Sequence, residues 1–591
     1  MDAAGAGPNR LTHPLILLGV GAAIFLGTIF APPSLMDDVD AVNAQIARTM
    51  LDSGDWVTAR INGVVYLEKS PLGFWLMAAS YALFGVHDWA ARLPSALGSM
   101  ALMFVTAALG RWGLGPRAGF YAGLACGASA GMFLFTRILI PDVLLTLAVT
   151  CAVYCLVRAV EEGGRWGLGF WASIGAGMLL KGLLAALVPV ATAALYLLFT
   201  RRLLDGRSWR RLRIFSGVPL MLAIFAPWVV LATLRNPPRF DFTLRSDPGV
   251  YRGFFWFYFL NEHLLRFLNL RYPRDYNTVP RLPFLLLHLV WIFPWSAFLP
   301  AAARAAPSRV RLLAMVWIAF LLAFLSFSTT QEYYSMPCYP AFALLAGLAL
   351  AEGPRRWLDA GFGVLAVLGV TAGLAAAWIL FQVREVTPAG DISSALTPNP
   401  EAYTLSLGHM SDLTLRSFAW LGGPLALAGA ALACGTLAAW LARRTNWAPL
   451  CLAAMMVAAL HAARWAMAVF DPYLSSRPLA ESIRAGPPGQ LLIEGHYYPA
   501  SSVVFYTNQP ALLLNGRADN LVYGSAAPGA PPVFLDDLDL ARLWKQDRRL
   551  YLVIPETSRP RLEALLGAVH VFAARGGKLV LTNVAGDQGR Y

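Results

Sequence analysis

Long apolar stretches separated by short polar loops dominate the chain from residue 14 to residue 470. Most have about 17–25 residues, the length that an α-helix needs to cross ~30 Å of hydrocarbon. The pattern therefore predicts thirteen transmembrane helices, counted from the sequence alone. The predicted spans are 14–32, 93–111, 117–135, 143–159, 166–180, 183–199, 214–233, 283–303, 312–327, 337–352, 357–381, 416–442 and 448–470.

The pattern changes after residue 470, where the apolar runs shorten to strand length and alternate with helical stretches. Short strands mixed with helices are typical of a small α/β domain. The sequence thus predicts a transmembrane domain, 1–470, and an external soluble α/β domain, 471–591. The predicted strands are 491–493, 503–506, 512–514, 551–554 and 578–581, and the predicted helices are 538–545 and 559–566.

Composition supports a polytopic membrane protein. Hydrophobic residues make up 57% of the chain and the mean hydropathy is +0.55, whereas single soluble cores stop growing near ~250–300 residues. The first apolar run has no clean cleavage site, so it is predicted to be a retained span. The six cysteines lie in or beside apolar runs, which indicates neither a disulfide framework nor a zinc site.

The net charge of +13 comes largely from arginines in alternate short loops, so it indicates membrane orientation and not nucleic-acid binding. All of these loops fall on one side if the N-terminus is cytoplasmic. An odd number of spans then places the C-terminal domain on the outer side of the membrane. The arginine-bearing loops are 111–117, 158–165, 201–213, 304–311, 355–356 and 443–444.

The first external loop, 33–92, concentrates charge in a chain of which only 14% is charged. Charge beside a bilayer is costly and usually functional. The acids at its start also suit the positive end of a helix dipole, so a helix-start role and a catalytic role both stay open. The loop also contains an amphipathic stretch, 42–50, expected at the membrane interface, and an apolar segment, 71–85, expected to be re-entrant or interfacial. Its notable charges are Asp37, Asp38, Asp40, Glu68 and Lys69.

Asp142 and the lysines add to this outer-face chemistry. Asp142 follows a proline at the outer end of a span, where an unpaired carboxylate is expensive. Two carboxylates from separate loops allow one to act as general base while the other positions a nucleophile or a metal. The chain has four lysines among its 47 basic residues, and two of them, Lys69 and Lys181, lie at this face. A lysine ammonium suits a phosphate oxygen, although Lys181 could instead only snorkel to the surface.

A long external loop, 234–282, is rich in arginine, whose guanidinium group can donate two parallel hydrogen bonds to a phosphate. Within it, Glu262, His263 and Arg266 share one face of a predicted helix. A lone histidine is usually structural. Beside a glutamate, however, His263 could ligate a divalent metal ion together with Glu68. A divalent metal ion is the one cofactor that the sequence suggests.

Several segments, taken in order over most of residues 15–350, resemble the bacterial polyprenyl-phosphate-sugar glycosyltransferases. That family includes the lipid A 4-amino-4-deoxy-L-arabinose transferase and, more distantly, the protein O-mannosyltransferases. The resembling segments are GDWVTARINGVVYLEKSPLGFWL, ARLPSAL, LLKG with Lys181, APWVVLATLRNP, FLNEHLLRF and YYSMPCYPAFALLAG.

The resemblance implies a C-type glycosyltransferase fold and transfer of a sugar from undecaprenyl phosphate to an acceptor hydroxyl or phosphate. The acceptor would be lipid A, a glycan or a protein, and the displacement would invert the anomeric centre. Asp37 or Asp38 would be catalytic, with Asp142 assisting. Lys69, Lys181, Arg266 and Tyr334 would hold the donor phosphate, and Glu68 and His263 would match positions associated with a metal.

Two other functions compete with this hypothesis. If the protein were a transporter or flippase for lipid-linked sugars, its sequence should have charges near the bilayer midplane and inverted repeats. The notable charges of this chain are instead predicted to lie at one face. A membrane-anchored binding module would instead place its function in residues 471–591, where no catalytic set is evident.

Overall fold

The computed structural model describes residues 12–272, 278–328, 330–399, 403, 406–518 and 520–585. The first 474 residues are mainly helical, with one small hairpin in the first loop. Their elements are α1 (Thr12–Gly21), α2 (Val39–Ser53), β1 (Arg60–Ile61), β2 (Val64–Val65), α3 (Leu72–Phe84), α4 (Asp88–Leu114), α5 (Pro116–Gly127), α6 (Ala130–Arg137), α7 (Asp142–Glu162), α8 (Trp166–Lys181), α9 (Leu184–Phe199), α10 (Gly206–Arg211), α11 (Ile214–Arg235), α12 (Gly253–Phe255), α13 (Arg281–Trp291), α14 (Leu299–Ala303), α15 (Arg309–Ser326), α16 (Tyr339–Glu352), α17 (Arg355–Gln382), α18 (Gly422–Leu441) and α19 (Ala448–Leu474).

Eight helices in the described part of the chain are long and apolar enough to cross a membrane. The number rises to ten if the bent pairs 116–137 and 281–303 each form one span. These ten coincide with ten of the predicted spans, and the other three fall on the shorter helices α1, α8 and α9. The chain is therefore a multi-pass membrane protein, and the count of thirteen stays a prediction.

The arginine-bearing loops meet on one side of the helical domain. Glu161, at the end of α7, accepts hydrogen bonds from Arg202 at 2.8 Å and from Arg309 at 2.7 Å. The Arg304 guanidinium lies 3.8 Å from the ring centre of Trp357, and Arg355 donates to the backbone carbonyl of Arg443. Loops that are far apart in sequence are thereby joined, as expected if they share one membrane face.

The C-terminal residues form an α/β layer on the opposite side. Its elements are α20 (Arg477–Ala485), β3 (Gln490–Glu494), α21 (Ser501–Thr507), β4 (Ala511–Leu514), α22 (Asn520–Ser525), β5 (Phe534–Leu535), α23 (Asp537–Trp544), β6 (Leu550–Pro555), α24 (Arg559–Leu566), β7 (His570–Arg575) and β8 (Lys578–Thr582). The six-stranded sheet has the order β5-β4-β3-β6-β8-β7. Its first four strands are parallel, and β8 is antiparallel to both of its neighbours, β6 and β7.

Four of the five predicted strands and both predicted helices of this layer are confirmed. The prediction of a strand at 503–506 is wrong, because these residues lie in α21. A run of four apolar residues fits either a short strand or a buried helical turn, and here its residues Val503 and Val504 face the core. The boundary at 470/471 stays a prediction, since α19 continues to Leu474.

The apolar stripe of α2 does not lie against lipid, which corrects the expectation of an interfacial helix. Val42, Ile46 and Met50 are fully buried in a core that also contains Val503 of α21 and Leu513 of β4. A stripe spaced by four residues looks the same whether lipid or protein covers it. The first loop and the C-terminal layer therefore share one hydrophobic core above the membrane domain.

Candidate active site

Three aspartates at the start of α2 have different surroundings. Asp37 is held by Lys578, whose Nζ lies 2.5 Å from Asp37 Oδ2, and by the Ser476 hydroxyl at 2.6 Å. Asp40 is buried, and its Oδ1 accepts the backbone N–H of Leu139 at 2.8 Å. Asp38 lies between Asp37 and Asp40 in the sequence, and its carboxylate has different surroundings from both.

The carboxylate of Asp38 accepts no hydrogen bond from the residues that the structure describes, although the residue occupies the N-cap position of α2. Solvent reaches this side chain. Desolvation by the neighbouring protein, together with repulsion from Asp40 and Asp37, raises the pKa of Asp38 to about 7. A raised pKa and a free carboxylate are properties of a general base.

The backbone of Asp38 is strained, and the C-terminal layer holds it in place. Its φ of 73° is unusual for a residue with a Cβ atom, and such strain persists only where surrounding contacts maintain it. Its N–H donates to the carbonyl of Tyr498 at 2.8 Å, and the Ser501 hydroxyl donates to its carbonyl at 3.2 Å. Together with the ion pair between Asp37 and Lys578, these contacts make residues after 471 part of the site.

The start of α2 is fastened to the turn that carries Asp142. Asp40 accepts from Leu139 N–H, and the amide of Asn43 donates to the Leu139 carbonyl at 2.7 Å. Asp142 begins α7 three residues later and pairs with Lys181 at 2.5 Å. The Asp142 side chain is only 2% exposed, whereas the Lys181 side chain is 19% exposed, so the carboxylate is the more enclosed partner of this ion pair.

Aromatic rings continue the site beyond Lys181. The Nζ of Lys181 lies 4.8 Å from the ring centre of Tyr334, and Arg266 donates to the Tyr334 hydroxyl at 2.7 Å. Lys69 has one carboxylate contact in the described residues, with Glu68 at 3.8 Å. The Lys69 side chain also lines a crevice of about 30 Å³ whose walls include Asn43, Pro141 and apolar residues of α3 and α7.

Two buried glutamates share this region and titrate differently. Burial and the nearby Glu262 raise the pKa of Glu68. Burial alone would also raise the pKa of Glu262, but Arg271 at 2.5 Å and Arg266 at 3.0 Å outweigh it and lower this pKa. The pair therefore favours a proton on Glu68 and a negative charge on Glu262.

These residues form one cluster of four cations and three acids above the membrane domain. Lys69, Arg266 and Arg271 act electrostatically on both Glu68 and Glu262. Lys69 and Arg266 also act on Lys181, which joins it to the same cluster. Glu262 is already paired with two arginines and Asp142 with one lysine, so the remaining positive charge is suited to an anion. The members of this cation cluster are Lys69, Lys181, Arg266, Arg271, Asp142, Glu68 and Glu262.

The residues proposed for a metal do not fit that role in this arrangement. The Nε2 of His263 accepts the backbone N–H of Leu183 at 3.1 Å, so its Nδ1 carries the hydrogen that bonds to the Tyr258 carbonyl. Glu68 Oε1 is buried without a hydrogen-bond partner and could ligate a cation. However, no group of three or more His, Cys, Asp or Glu side chains suited to a metal occurs in the described ranges.

The membrane domain, the acid-bearing first loop and the α/β layer define a C-type glycosyltransferase fold. Two solved structures of ArnT from Cupriavidus metallidurans match it over 98% of this chain and 99% of theirs. The structure bound to undecaprenyl phosphate has a TM-score of 0.78 at 24% sequence identity, and the apo structure has 0.75 at 25%. The predicted fold class is confirmed.

Sequence comparisons agree with the resemblance noted above. A family profile described as dolichyl-phosphate-mannose-protein mannosyltransferase matches residues 68–231. The undecaprenyl phosphate-alpha-4-amino-4-deoxy-L-arabinose arabinosyl transferase of Aeromonas hydrophila is 31% identical over 356 residues, 56% of this chain. A relative of the same description, numbered 2, from Pseudomonas fluorescens is 30% identical over 397 residues, 64% of this chain. These matches span 60% and 63% of the two relatives.

Proposed function

We propose that this protein is an integral-membrane glycosyltransferase that moves a sugar from a polyprenyl phosphate to an acceptor hydroxyl or phosphate. The observation that carries the proposal is the arrangement of Asp38, whose carboxylate is free, in the same outer layer as the cation cluster. The names of the curated relatives support undecaprenyl phosphate as the lipid carrier and an aminoarabinose as one candidate sugar. The acceptor would be lipid A, a glycan or a protein.

Lys69, Lys181, Arg266 and Tyr334 are proposed to hold the donor phosphate. In the transfer step, Asp38 takes the acceptor proton, the acceptor oxygen forms a bond to the anomeric carbon, and the bond from that carbon to the phosphate oxygen breaks. The lipid phosphate leaves with the electron pair. The cations stabilise its developing charge, which is usually the largest catalytic contribution. A single displacement inverts the anomeric centre.

The roles of the remaining acids follow from their contacts. Asp37 is neutralised by Lys578, so it is proposed to position the turn and not to accept the proton. Asp142 orients Lys181 through their 2.5 Å contact. Asp40 fastens the start of α2 to the turn before Asp142. These proposals narrow the predicted choice of catalytic acid to Asp38.

The proposed orientation places the N-terminus in the cytoplasm and the C-terminal layer outside the inner membrane. The clustering of arginine-bearing loops at Glu161 supports it, because cytoplasmic loops carry the excess of basic residues. The two competing functions receive less support. The cation cluster lies at one face, and residues of the C-terminal layer hold Asp37 and Asp38 instead of forming a separate module.

The role of Lys69 is tested by Lys69→Ala. We expect KM for the polyprenyl-phosphate sugar to rise about 10–100-fold, because a hydrogen bond to a charged group contributes about 1.5–3 kcal/mol. KM for the acceptor should stay the same. Lys545→Ala, which changes an exposed lysine of the C-terminal layer, is the matched control. An equal rise in both KM values would remove Lys69 from the donor site.

The pH dependence tests Asp38 as the base. Because its pKa is raised to about 7, most of the enzyme carries a protonated Asp38 below that pH and cannot accept a proton from the acceptor. We expect kcat/KM for the acceptor to rise about tenfold from pH 6 to pH 8 and then to level off. Steady-state rates at acceptor concentrations well below KM measure this. A flat profile down to pH 5 would contradict the assignment.

A further inference from the structure

A large cavity lies apart from the cation cluster, between the first loop and the C-terminal layer. Its volume is about 550 Å³, and none of the cation-cluster residues lines it. Its walls come from residues 30–31, α2, the turn between α3 and α4, α20 and the end of α21. The cavity therefore opens where the first two predicted spans leave the membrane domain on its outer side.

Three arginines line this cavity: Arg48, Arg477 and Arg484. Arg484 is exposed and makes no ion pair in the part of the chain that the structure describes. Among the described residues that line the wall, Asp88 alone carries a carboxylate; it already accepts from the Tyr506 hydroxyl at 3.0 Å and lies 3.4 Å from Arg477.

Arg48 and Arg477 have further partners, Asp52 at 3.6 Å and Glu481 at 2.8 Å. Both carboxylates are more than half exposed, and exposed pairs of this kind are weak in water. The guanidinium groups are therefore available to a stronger anionic partner. Arginine forms paired hydrogen bonds with phosphate oxygens, so the wall matches a phosphate group.

The mouth of the cavity is aromatic and apolar. Phe30 is 53% exposed, and its ring contacts Trp89 at a centroid distance of 6.2 Å. Trp89 in turn contacts Phe84, an exposed residue at the end of α3, at 5.3 Å. Aromatic residues at the ends of membrane spans lie at headgroup depth. The arginines therefore lie behind a rim that faces lipid headgroups.

We propose that this cavity binds the phosphate group of an anionic lipid headgroup in the outer leaflet. The three guanidinium groups would hold the phosphate, and the rim of Phe30 and Trp89 would contact the acyl region. The phosphate could belong to a bulk phospholipid or to a phosphorylated glycolipid that serves as acceptor. Binding itself does not depend on the proposed transfer activity.

Native mass spectrometry of the purified full-length protein tests the binding, with phosphatidylglycerol as probe and phosphatidylcholine as the neutral reference. We expect wild-type protein to retain phosphatidylglycerol, and the variant Arg48→Gln/Arg484→Gln to bind it about tenfold more weakly. Arg542→Gln, an exposed arginine outside the cavity, should behave like the wild type. Equal retention of phosphatidylglycerol by the double variant and the wild type would overturn the proposal.

Because Arg48 also donates to the Phe505 carbonyl, the single variant Arg484→Gln guards against misfolding. This exposed side chain has no ion pair or hydrogen bond in the described residues to lose, and we expect about a threefold loss of phosphatidylglycerol affinity. If Arg484→Gln binds phosphatidylglycerol as tightly as the wild type does, the proposal is contradicted as well.

A competition arm with bis-phosphorylated lipid A distinguishes the two sources. If the cavity holds an acceptor, lipid A should displace phosphatidylglycerol at lower concentration, and the double variant should raise KM for lipid A without changing KM for the donor. If the cavity holds bulk lipid, phosphatidylglycerol should resist displacement and both KM values should stay constant. Loss of transfer activity with normal lipid retention would concern the proposed function and not this site.

Discussion

Replacing Asp38 by asparagine should lower the transfer rate by about 10²–10⁴-fold, the usual contribution of a general base. The carboxylate of Asp38 makes no hydrogen bond within the described residues, so the exchange removes no contact that supports the fold. Donor affinity should stay the same, because the proposed phosphate ligands belong to other elements. Single-turnover rates and donor binding by the purified variant measure the two quantities.

Asp55→Asn is the matched control for this experiment. Asp55 belongs to the same external loop and pairs with Arg235 at 2.8 Å, outside the cation cluster. We expect its rate to remain near the wild-type value. A wild-type rate in Asp38→Asn would show that another group accepts the proton.

Replacing Lys181 by methionine should both destabilise the protein and abolish donor binding. The exchange leaves Asp142, which is 2% exposed, as an unpaired buried charge. Breaking a buried ion pair by removing one partner costs about 3–5 kcal/mol. We therefore expect a lower yield of folded protein and a lower midpoint of thermal unfolding for this variant.

The double variant Lys181→Met/Asp142→Asn separates stability from donor binding. Removing both charges should restore much of the thermal stability, because no uncompensated carboxylate remains. The donor affinity should not return if Lys181 holds the phosphate. If the double variant regains donor binding together with stability, Lys181 has only a structural role.

Asp142→Asn alone should lose transfer, since Lys181 is then no longer oriented. It should retain more folded protein than Lys181→Met, because the charge left unpaired is on Lys181, whose side chain is 19% exposed.

Much of the candidate site could be predicted from the sequence because its charged residues stand out from their immediate sequence neighbours. Lys69 follows Glu68 in a short polar turn, and Lys181 interrupts an apolar run. Charges next to a bilayer stand out against an apolar background. The contact between Asp142 and Lys181, 39 residues apart, then follows from two helices that end at the same membrane face.

The contribution of the C-terminal layer could not be predicted in this way. Lys578 is 541 residues from Asp37 in the sequence, and no periodicity connects them. Tyr498 reaches Asp38 through its backbone carbonyl, which every residue possesses. The strained φ of Asp38 likewise depends on these distant contacts. Consequently the sequence leaves Asp37 and Asp38 as alternatives, and the choice of Asp38 as the proposed base depends on contacts with distant residues.

His263 illustrates a different limit of the sequence. An α-helical spacing predicts Glu262, His263 and Arg266 on one face, but residues Trp256–Leu265 form a wider π-helical turn. Arg266 still reaches Glu262 at 3.0 Å. The ring of His263 instead lies against Tyr258 and bonds to backbone groups. A change in helical pitch is a tertiary effect that residue spacing does not reveal.

If the proposed function is correct, the cation cluster holds a polyprenyl phosphate within reach of Asp38. Electron cryo-microscopy of the Asp38→Asn variant with undecaprenyl phosphate can locate the phosphate. We expect phosphate density in contact with Lys69 and Lys181, with residue 38 facing the open side of the phosphate. Phosphate density at the arginine-lined cavity, with none at Lys69 and Lys181, would contradict it.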